Sequence, residues 1–268
     1  MTASLVRDDR RQSAIAQTSA MSRRALLALW RQPALTIPSI VFPLFFAALG
    51  SSSFSRATAL PGFPQVDSFL DFALAGAIVQ GVLFGSITSA TALATDIENG
   101  FFDRLLASPT SRAGILLGRL AGAVAYGAIQ TLFFTVVLIP FGLTVKSGVP
   151  GVIVMMVGGA LTALCVGALM STMAIRTGSS EAVQGSFPLV FILLFFSSAF
   201  FPRETMSGVY ATLAGLNPVS YVIEGFRDLV IDGLTWSAVA RTVLIPAAAS
   251  VATLALALRS LRKRVAAR

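Results

Sequence analysis

Six long apolar runs constrain this chain more than any other feature. They lie at about residues 34–54, 69–95, 113–141, 149–175, 182–201 and 238–258. Each reaches the roughly 20 residues that a helix needs to cross about 30 Å of hydrocarbon. Inside hydrocarbon every backbone donor and acceptor must be satisfied within the fold, so such runs are read as helices. The balance of residue types agrees: 55% of the 268 residues are hydrophobic and 12% charged, where soluble domains carry about 25%. The fold class expected is an all-α membrane protein with six transmembrane helices and no second large domain.

Charge sets the orientation. With the N-terminus inside, fifteen of the twenty basic residues gather on the cytoplasmic side, among them Arg23, Arg24, Arg104, Arg112, Arg119, Arg176, Arg262 and Arg264. Arg56, Lys146, Arg203, Arg227 and Arg241 stay outside. This is a positive-inside distribution, and six crossings return both termini to the cytoplasm. The net charge of +8 sits at the ends of apolar runs rather than on one polar face. It is therefore a topology signal and does not call for nucleic acid as a partner.

Residues 1–19 read as a polar cytoplasmic tail and 20–268 as a single transmembrane domain. Over 20–30, Leu26, Leu27 and Trp30 share a helical face, with Arg23, Arg24 and Arg31 placed to reach lipid headgroups. That pattern predicts an N-terminal interfacial helix, the alternative being a simple stop-transfer flank. About thirty mostly polar residues precede the first apolar run, too long a leader for a cleavable signal, so that run is expected to be retained. Between the fifth and sixth spans, residues 202–236 are too polar for a crossing and too apolar for a free loop. Val209, Leu213 and Leu216 repeat at helical spacing, Asn217-Pro218 interrupts them, and Tyr221, Val222, Phe226, Leu229 and Val230 resume. The expectation is an outer re-entrant helical hairpin, with Glu224 and Arg227 pairing across its exposed face.

Several chemistries are excluded. The chain has no histidine, which removes serine–histidine catalysis. Its single cysteine, Cys165, lies inside an apolar run and reads as a small core residue. Lys146 follows Val145 and Lys263 follows Arg262, so neither lysine belongs to a phosphate-binding Gly-x4-Gly-Lys-Ser/Thr loop. Almost no ionisable residue falls within a span, which argues against a proton relay. Two stripes of small residues, one through Ala77, Gly81, Gly85 and Ser89 and one through Gly114, Gly118 and Gly122, read as helix-packing faces.

The most informative segment follows the second span. Residues 96–112 run Asp-Ile-Glu-Asn-Gly-Phe-Phe-Asp-Arg-Leu-Leu-Ala-Ser-Pro-Thr-Ser-Arg. Ile97, Phe101, Phe102, Leu105 and Leu106 share one helical face, which calls for a hydrophobic groove in the chain's own bundle or in a partner. The acidic-x-Glu-x-Gly, aromatic, Arg-Leu-Leu-x-Ser-Pro, Arg pattern resembles the cytoplasmic signature of ABC transporter type 2 permeases. Residues 216–227, Leu-Asn-Pro-Val-Ser-Tyr-Val-Ile-Glu-Gly-Phe-Arg, resemble the same family's motif before the last span. Span order, loop and hairpin agree, so the resemblance covers nearly the whole chain, and the nearest subgroup is the bacterial daunorubicin-exporter type.

The resemblance implies a permease subunit of an ATP-driven exporter in the bacterial plasma membrane, carrying a lipophilic or amphipathic substrate such as a drug, an antibiotic or a lipid. It implies a separate ABC ATPase that binds ATP and Mg, no cofactor on this chain, contact with membrane lipid, and a second permease copy, identical or related. Glu98, Phe101, Phe102, Arg104, Leu105 and Leu106 would then form the coupling helix, with the two phenylalanines as knobs and Glu98 and Arg104 at the rim. Asn217, Pro218, Glu224 and Arg227 would belong to the hairpin that closes the outer end, and spans one, two and five would line the path. In the fifth span, Phe187, Phe191 and Phe195 suit an aromatic wall for lipophilic cargo, or ordinary packing. The alternative function is a secondary carrier or channel not powered by ATP.

The topology is testable in a Cys165→Ser background with single cysteines at positions 103, 146, 206 and 262. An impermeant thiol reagent on intact cells should label 146 and 206, and should reach 103 and 262 only after permeabilisation. Labelling of 103 or 262 in intact cells overturns the six-span arrangement.

Overall fold

The computed structural model describes residues 33–54, 63–107 and 111–266, together with Leu27, Arg56 and Thr58. The tail at 1–19 lies outside the described residues, as does the interfacial helix expected at 20–30 except for Leu27, and Pro109 lies outside them too. Among the described residues all regular structure is helical. The chain runs through α1 (Pro33–Ser53), α2 (Phe69–Glu98), α3 (Phe101–Leu106), α4 (Arg112–Leu138), α5 (Gly148–Thr177) and α6 (Ser180–Gln184). It continues through α7 (Phe187–Phe195), α8 (Gly208–Leu216), α9 (Pro218–Ile231) and α10 (Trp236–Ala266).

Five of these elements are long and apolar enough to cross a membrane: Thr36–Ser53, Phe69–Glu98, Arg112–Phe141, Gly148–Thr177 and Trp236–Ala266. The apolar run expected as a fifth span over 182–201 is different. It is broken at Gly185–Ser186 into α6 and α7, and the helix stops at Phe195. The stretch from Ser180 to Phe195 would extend only about 24 Å as one helix. The stop has a physical cause, because the carbonyls freed at the end of α7 are taken by side chains from later in the chain. Asn217 Nδ2 donates to Leu193 O at 2.6 Å and to Phe196 O at 2.8 Å, and the Tyr210 hydroxyl donates to Phe195 O.

Helix α2 is the centre of the bundle. Within its apolar stretch 94% of residues are buried, against 22% in α1 and 17% in α10. Three glycines allow that depth. A Cβ on Gly76 would stand 2.9 Å from the Ala199 carbonyl, one on Gly81 2.4 Å from the Phe134 ring, and one on Gly85 2.8 Å from the Tyr126 ring. Helix α2 opens with a capping box in which Leu70 N donates to Ser68 Oγ and Ser68 N to Asp71 Oδ2. The other Asp71 oxygen accepts from the Thr144 N–H at 2.8 Å. Asp71 is thus a buried staple between α2 and the loop after α4. At the opposite end Asp96 pairs with Arg119, and Arg264 donates to the Ile175 carbonyl at the end of α5.

Two prolines interrupt α1, Pro38 and Pro43. Pro43 has no N–H, so the Ser39 carbonyl one turn earlier loses its helical donor. Gln130 of α4 supplies the replacement, its Nε2 donating to Ser39 O at 2.8 Å. Tyr126, one turn away on α4, shares a hydrogen bond with the Ser39 hydroxyl at 3.1 Å. A helix that would otherwise carry an orphan acceptor in hydrocarbon is thereby fastened to its neighbour.

Gln130→Leu should therefore destabilise the protein by about 1–3 kcal/mol, the cost of a buried acceptor left unpaired. In a Pro43→Ala background the new backbone N–H satisfies Ser39, so the same Gln130→Leu change should cost far less. Thermal unfolding of all four proteins in detergent checks the cycle, and equal costs in both backgrounds would refute the assignment.

Candidate functional site

Three regions carry the residues of interest, and α2 touches all of them. The first is at its C-terminal end. Gly100, at φ +68°, turns the chain sharply, so that only Asn99 and Gly100 separate α2 from α3. The fold brings the expected coupling residues together around this corner but gives them different tasks. Phe102 is 0% exposed and packs into the bundle core. It cannot be an outward knob, which corrects the expectation for that residue. Leu105 and Leu106 are half-buried against the same core, whereas Phe101 is half-exposed and Arg104 exposed, its guanidinium carbon 6.0 Å from the Phe101 ring centre. Glu98 also differs from a rim charge awaiting a partner. Its carboxylate accepts the Ser180 N–H at 2.6 Å and the Ser180 hydroxyl at 2.9 Å, bracing the start of α6 against the end of α2.

The second region is an apolar chamber of about 200 Å³ between α1, α2 and the end of α7. Phe46, Phe54, Phe69, Phe72, Phe195 and Gln80 are among its walls. Of the three aromatic residues expected to line a path, Phe195 is a wall of this chamber. Phe187 and Phe191 stack instead on Phe84 of α2, at 4.6 and 6.2 Å between ring centres. They join the chamber through the Phe191–Phe195 contact at 4.8 Å, and Phe195 meets Phe200 at 4.8 Å. The aromatic wall is therefore assembled from α1, α2 and α7 together. The contributions of Phe46 and Phe72 were not legible in the fifth span alone.

The third region is the opposite end of the bundle, around α8 and α9. The break expected at Asn217-Pro218 is present. Helix α8 ends at Leu216 and α9 begins at Pro218, with Asn217 Oδ1 accepting the Val219 N–H as a cap. The expected pairing of Glu224 with Arg227 is not. Glu224 binds Arg203 at 2.6 Å, and Arg227 is 5% exposed rather than on a surface. Arg227 lies over the Phe72 ring at 3.7 Å and donates to the Ser198 carbonyl at 2.7 Å. The amphipathic period of α9 turns Arg227 inward beside Phe226, and three-residue spacing alone does not report that rotation. Desolvation opposes the charge of Arg203, but Glu224 and Tyr221 outweigh it and hold its pKa above the ordinary arginine value. Arg241 and Asp228 form a second pair at 3.0 Å. These groups rim a polar cleft of about 650 Å³, which also takes in Lys146, Glu204 and Asp232.

Residues 16–231 match the family model described as ABC-2 type transporter. The chain is 29% identical over 223 residues to the daunorubicin resistance ABC transporter permease protein DrrB1 of Streptomyces coeruleorubidus, covering 82% of this chain and 77% of the relative. It is 31% identical over 233 residues to the putative transport permease ycf38 of Pyropia yezoensis, covering 84% and 77%. The probable doxorubicin resistance ABC transporter permease protein DrrC of Mycobacterium tuberculosis is 26% identical over 225 residues, covering 82% and 78%. A bundle of long apolar helices around α2, a short helix at its C-terminal end and a family match across most of the chain lead to one conclusion: this multi-pass membrane protein belongs to the ABC-2 type transporter family, whose permeases work with an ABC ATPase.

Proposed function

We propose that the chain is the permease subunit of an ATP-driven exporter that moves a lipophilic or amphipathic substrate out of a bacterial cell. In this reading α6 and α7 together make the remaining crossing, both termini are cytoplasmic, and α8–α9 re-enter from the outside. Helix α6 starts beside Glu98 at the inner end of α2, and the segment after α7 reaches α9 through Ser198 and Ser220 at the outer end, which supports a full traverse. Two relatives bear names of drug-resistance permeases, and the chamber's aromatic walls are suited to a cargo of that kind. A second permease copy would close against exposed apolar residues of α1 and α7, such as Val41, Phe45, Leu189 and Ile192. ATP and Mg would be bound by the ATPase alone.

One observation carries the reading. The short helix α3 is seated by Phe102 inside the bundle, while Phe101 is half-exposed and Arg104 exposed. A contact that transmits force must be stiff at its root and exposed at its tip, and α3 meets both conditions. It joins α2, the same helix that lines the chamber, so a push on α3 has a rigid route to the substrate path.

The two phenylalanines should therefore behave differently. Phe102→Ala should lower permease stability by about 3–5 kcal/mol through the cavity it leaves, read as thermal unfolding. Phe101→Ala combined with Arg104→Ala should leave unfolding nearly unchanged but weaken association with the cognate ATPase by about 2 kcal/mol or more, read by co-purification and by ATP hydrolysis in vesicles. Wild-type association and hydrolysis in that double variant would remove α3 as the coupling element.

A further inference from the structure

The start of α4 and the end of α10 leave a cavity between them, at the end of the bundle that carries α3. It measures about 380 Å³, within the range of small-ligand sites. Helix α4 contributes Arg112 and Ala113, and α10 contributes Leu258, Leu261, Arg262 and Val265. Leu261, 2% exposed, is its most deeply buried wall. Apart from the two arginines every lining side chain is apolar, and no carboxylate is among them. The apolar lining continues along both helices. Leu117 and Leu254 stand one turn further from the helix ends than Ala113 and Leu258 and share their faces. Only 17% of the apolar stretch of α10 is buried, so the seam opens onto a wall that the rest of the chain leaves uncovered.

The arginines at this end fall into two groups. Arg119 pairs with Asp96, Arg176 Nε donates to the Ser260 hydroxyl at 3.0 Å, and Arg264 donates to the Ile175 carbonyl at 2.8 Å. Arg112 and Arg262 are exposed, and among the described residues neither guanidinium makes an ion pair or a hydrogen bond. These two are the ones that flank the cavity, one from each helix. Arg259 and Lys263 are exposed as well but stand outside its lining. Two unengaged guanidinium groups over an apolar slot match an amphiphile with an anionic head, since arginine binds phosphate through paired hydrogen bonds and basic pockets between membrane helices take anionic lipid heads. A free anion would leave the apolar walls without a partner. A choline or ethanolamine head would bring a third cation to the pair.

Resting on the orientation proposed above, which puts this end at the inner leaflet, we infer that the seam between α4 and α10 is a binding site for an anionic glycerophospholipid. Its phosphate lies between Arg112 and Arg262, and an acyl chain runs along Ala113 and Leu117 on one side and Leu258 and Leu254 on the other. Bound there, the lipid joins two helices whose polar side chains at this end hold different neighbours: Arg119 ties α4 to α2, whereas Ser260 and Arg264 tie α10 to α5.

The test uses the full-length permease alone in a neutral detergent, so it depends on neither an ATPase nor transport. Phosphatidylglycerol or phosphatidylcholine is titrated in, and native mass spectrometry counts the lipids retained. The wild-type protein should take up one phosphatidylglycerol well before its first phosphatidylcholine. Arg112→Gln combined with Arg262→Gln should weaken that first event about 25-fold, at about fivefold for each arginine, and should remove the preference. Arg259→Gln combined with Lys263→Gln deletes the same charge from exposed positions outside the seam and should change it little. Phosphatidylglycerol with a diazirine on its acyl chain should label peptides within 113–117 and 254–265. Equal uptake of the two lipids, equal loss in the two double variants, or labelling spread evenly over the helices would mean diffuse attraction to basic residues and would overturn the proposal. Displacement by glycerol 3-phosphate, which has the phosphate but no chain, would mean a site for a soluble phosphate ester and would also overturn it. The lipid comparison, the labelling and the glycerol 3-phosphate competition are run on the wild-type protein, so they decide even if a variant fails to fold. Cysteine labelling that placed this end outside the cell would count against the orientation without touching the lipid selectivity.

Discussion

A backbone polar group in hydrocarbon has no water to fall back on, and much of this architecture follows from that constraint. Where a helix is interrupted, a side chain from another element arrives to complete it. Gln130 restores the donor that Pro43 withdraws from Ser39. Asn217 takes two carbonyls near the end of α7 and caps α9 with its remaining oxygen. Arg264 takes a carbonyl at the end of α5. Each repair is also a tether, so the breaks that would weaken isolated helices bind the bundle together.

Close packing around α2 is the second dependence. Lipid tails are as apolar as leucine, so burial alone gives helices little reason to associate. Contact area must supply the attraction, and the glycines of α2 provide it by letting the Phe134 and Tyr126 rings of α4 lie almost on the backbone. The same principle appears where Gly127 of α4 meets Gly159 and Ala163 of α5, and where Gly158 meets Thr242 of α10. A helix so enclosed can reach the short α3 at one end and the aromatic chamber at the other.

Charge is segregated with equal economy. Outside the spans it forms pairs at the rim, Arg203 with Glu224 and Arg241 with Asp228. These pairs are partly exposed and contribute modestly to stability. Arg227 is the exception. It is buried without a salt-bridge partner among the described residues, and a ring face and a carbonyl stand in for the missing carboxylate.

The division between what was legible in the sequence and what was not follows the range of the interactions. Helix positions, the Asn217-Pro218 break and the family signature at 96–112 could be read directly, because hydropathy and turn chemistry act over one or two turns. The role of Phe102 could not, since Phe101 and Phe102 share a stripe at the resolution of helical period, and only the docking of α3 onto the bundle decides which one is swallowed. The pairing of Glu224 failed for the same reason: its partner, Arg203, lies twenty-one residues away, and proximity along α9 says nothing of it. The fifth apolar run had the composition of a span, yet its helix ends at Phe195 because distant side chains compete for its carbonyls. Composition and local pattern determined which segments are apolar enough to leave water and where helices start and break. Tertiary packing alone decided which polar groups meet, because in a bundle those meetings are made between residues far apart in the chain.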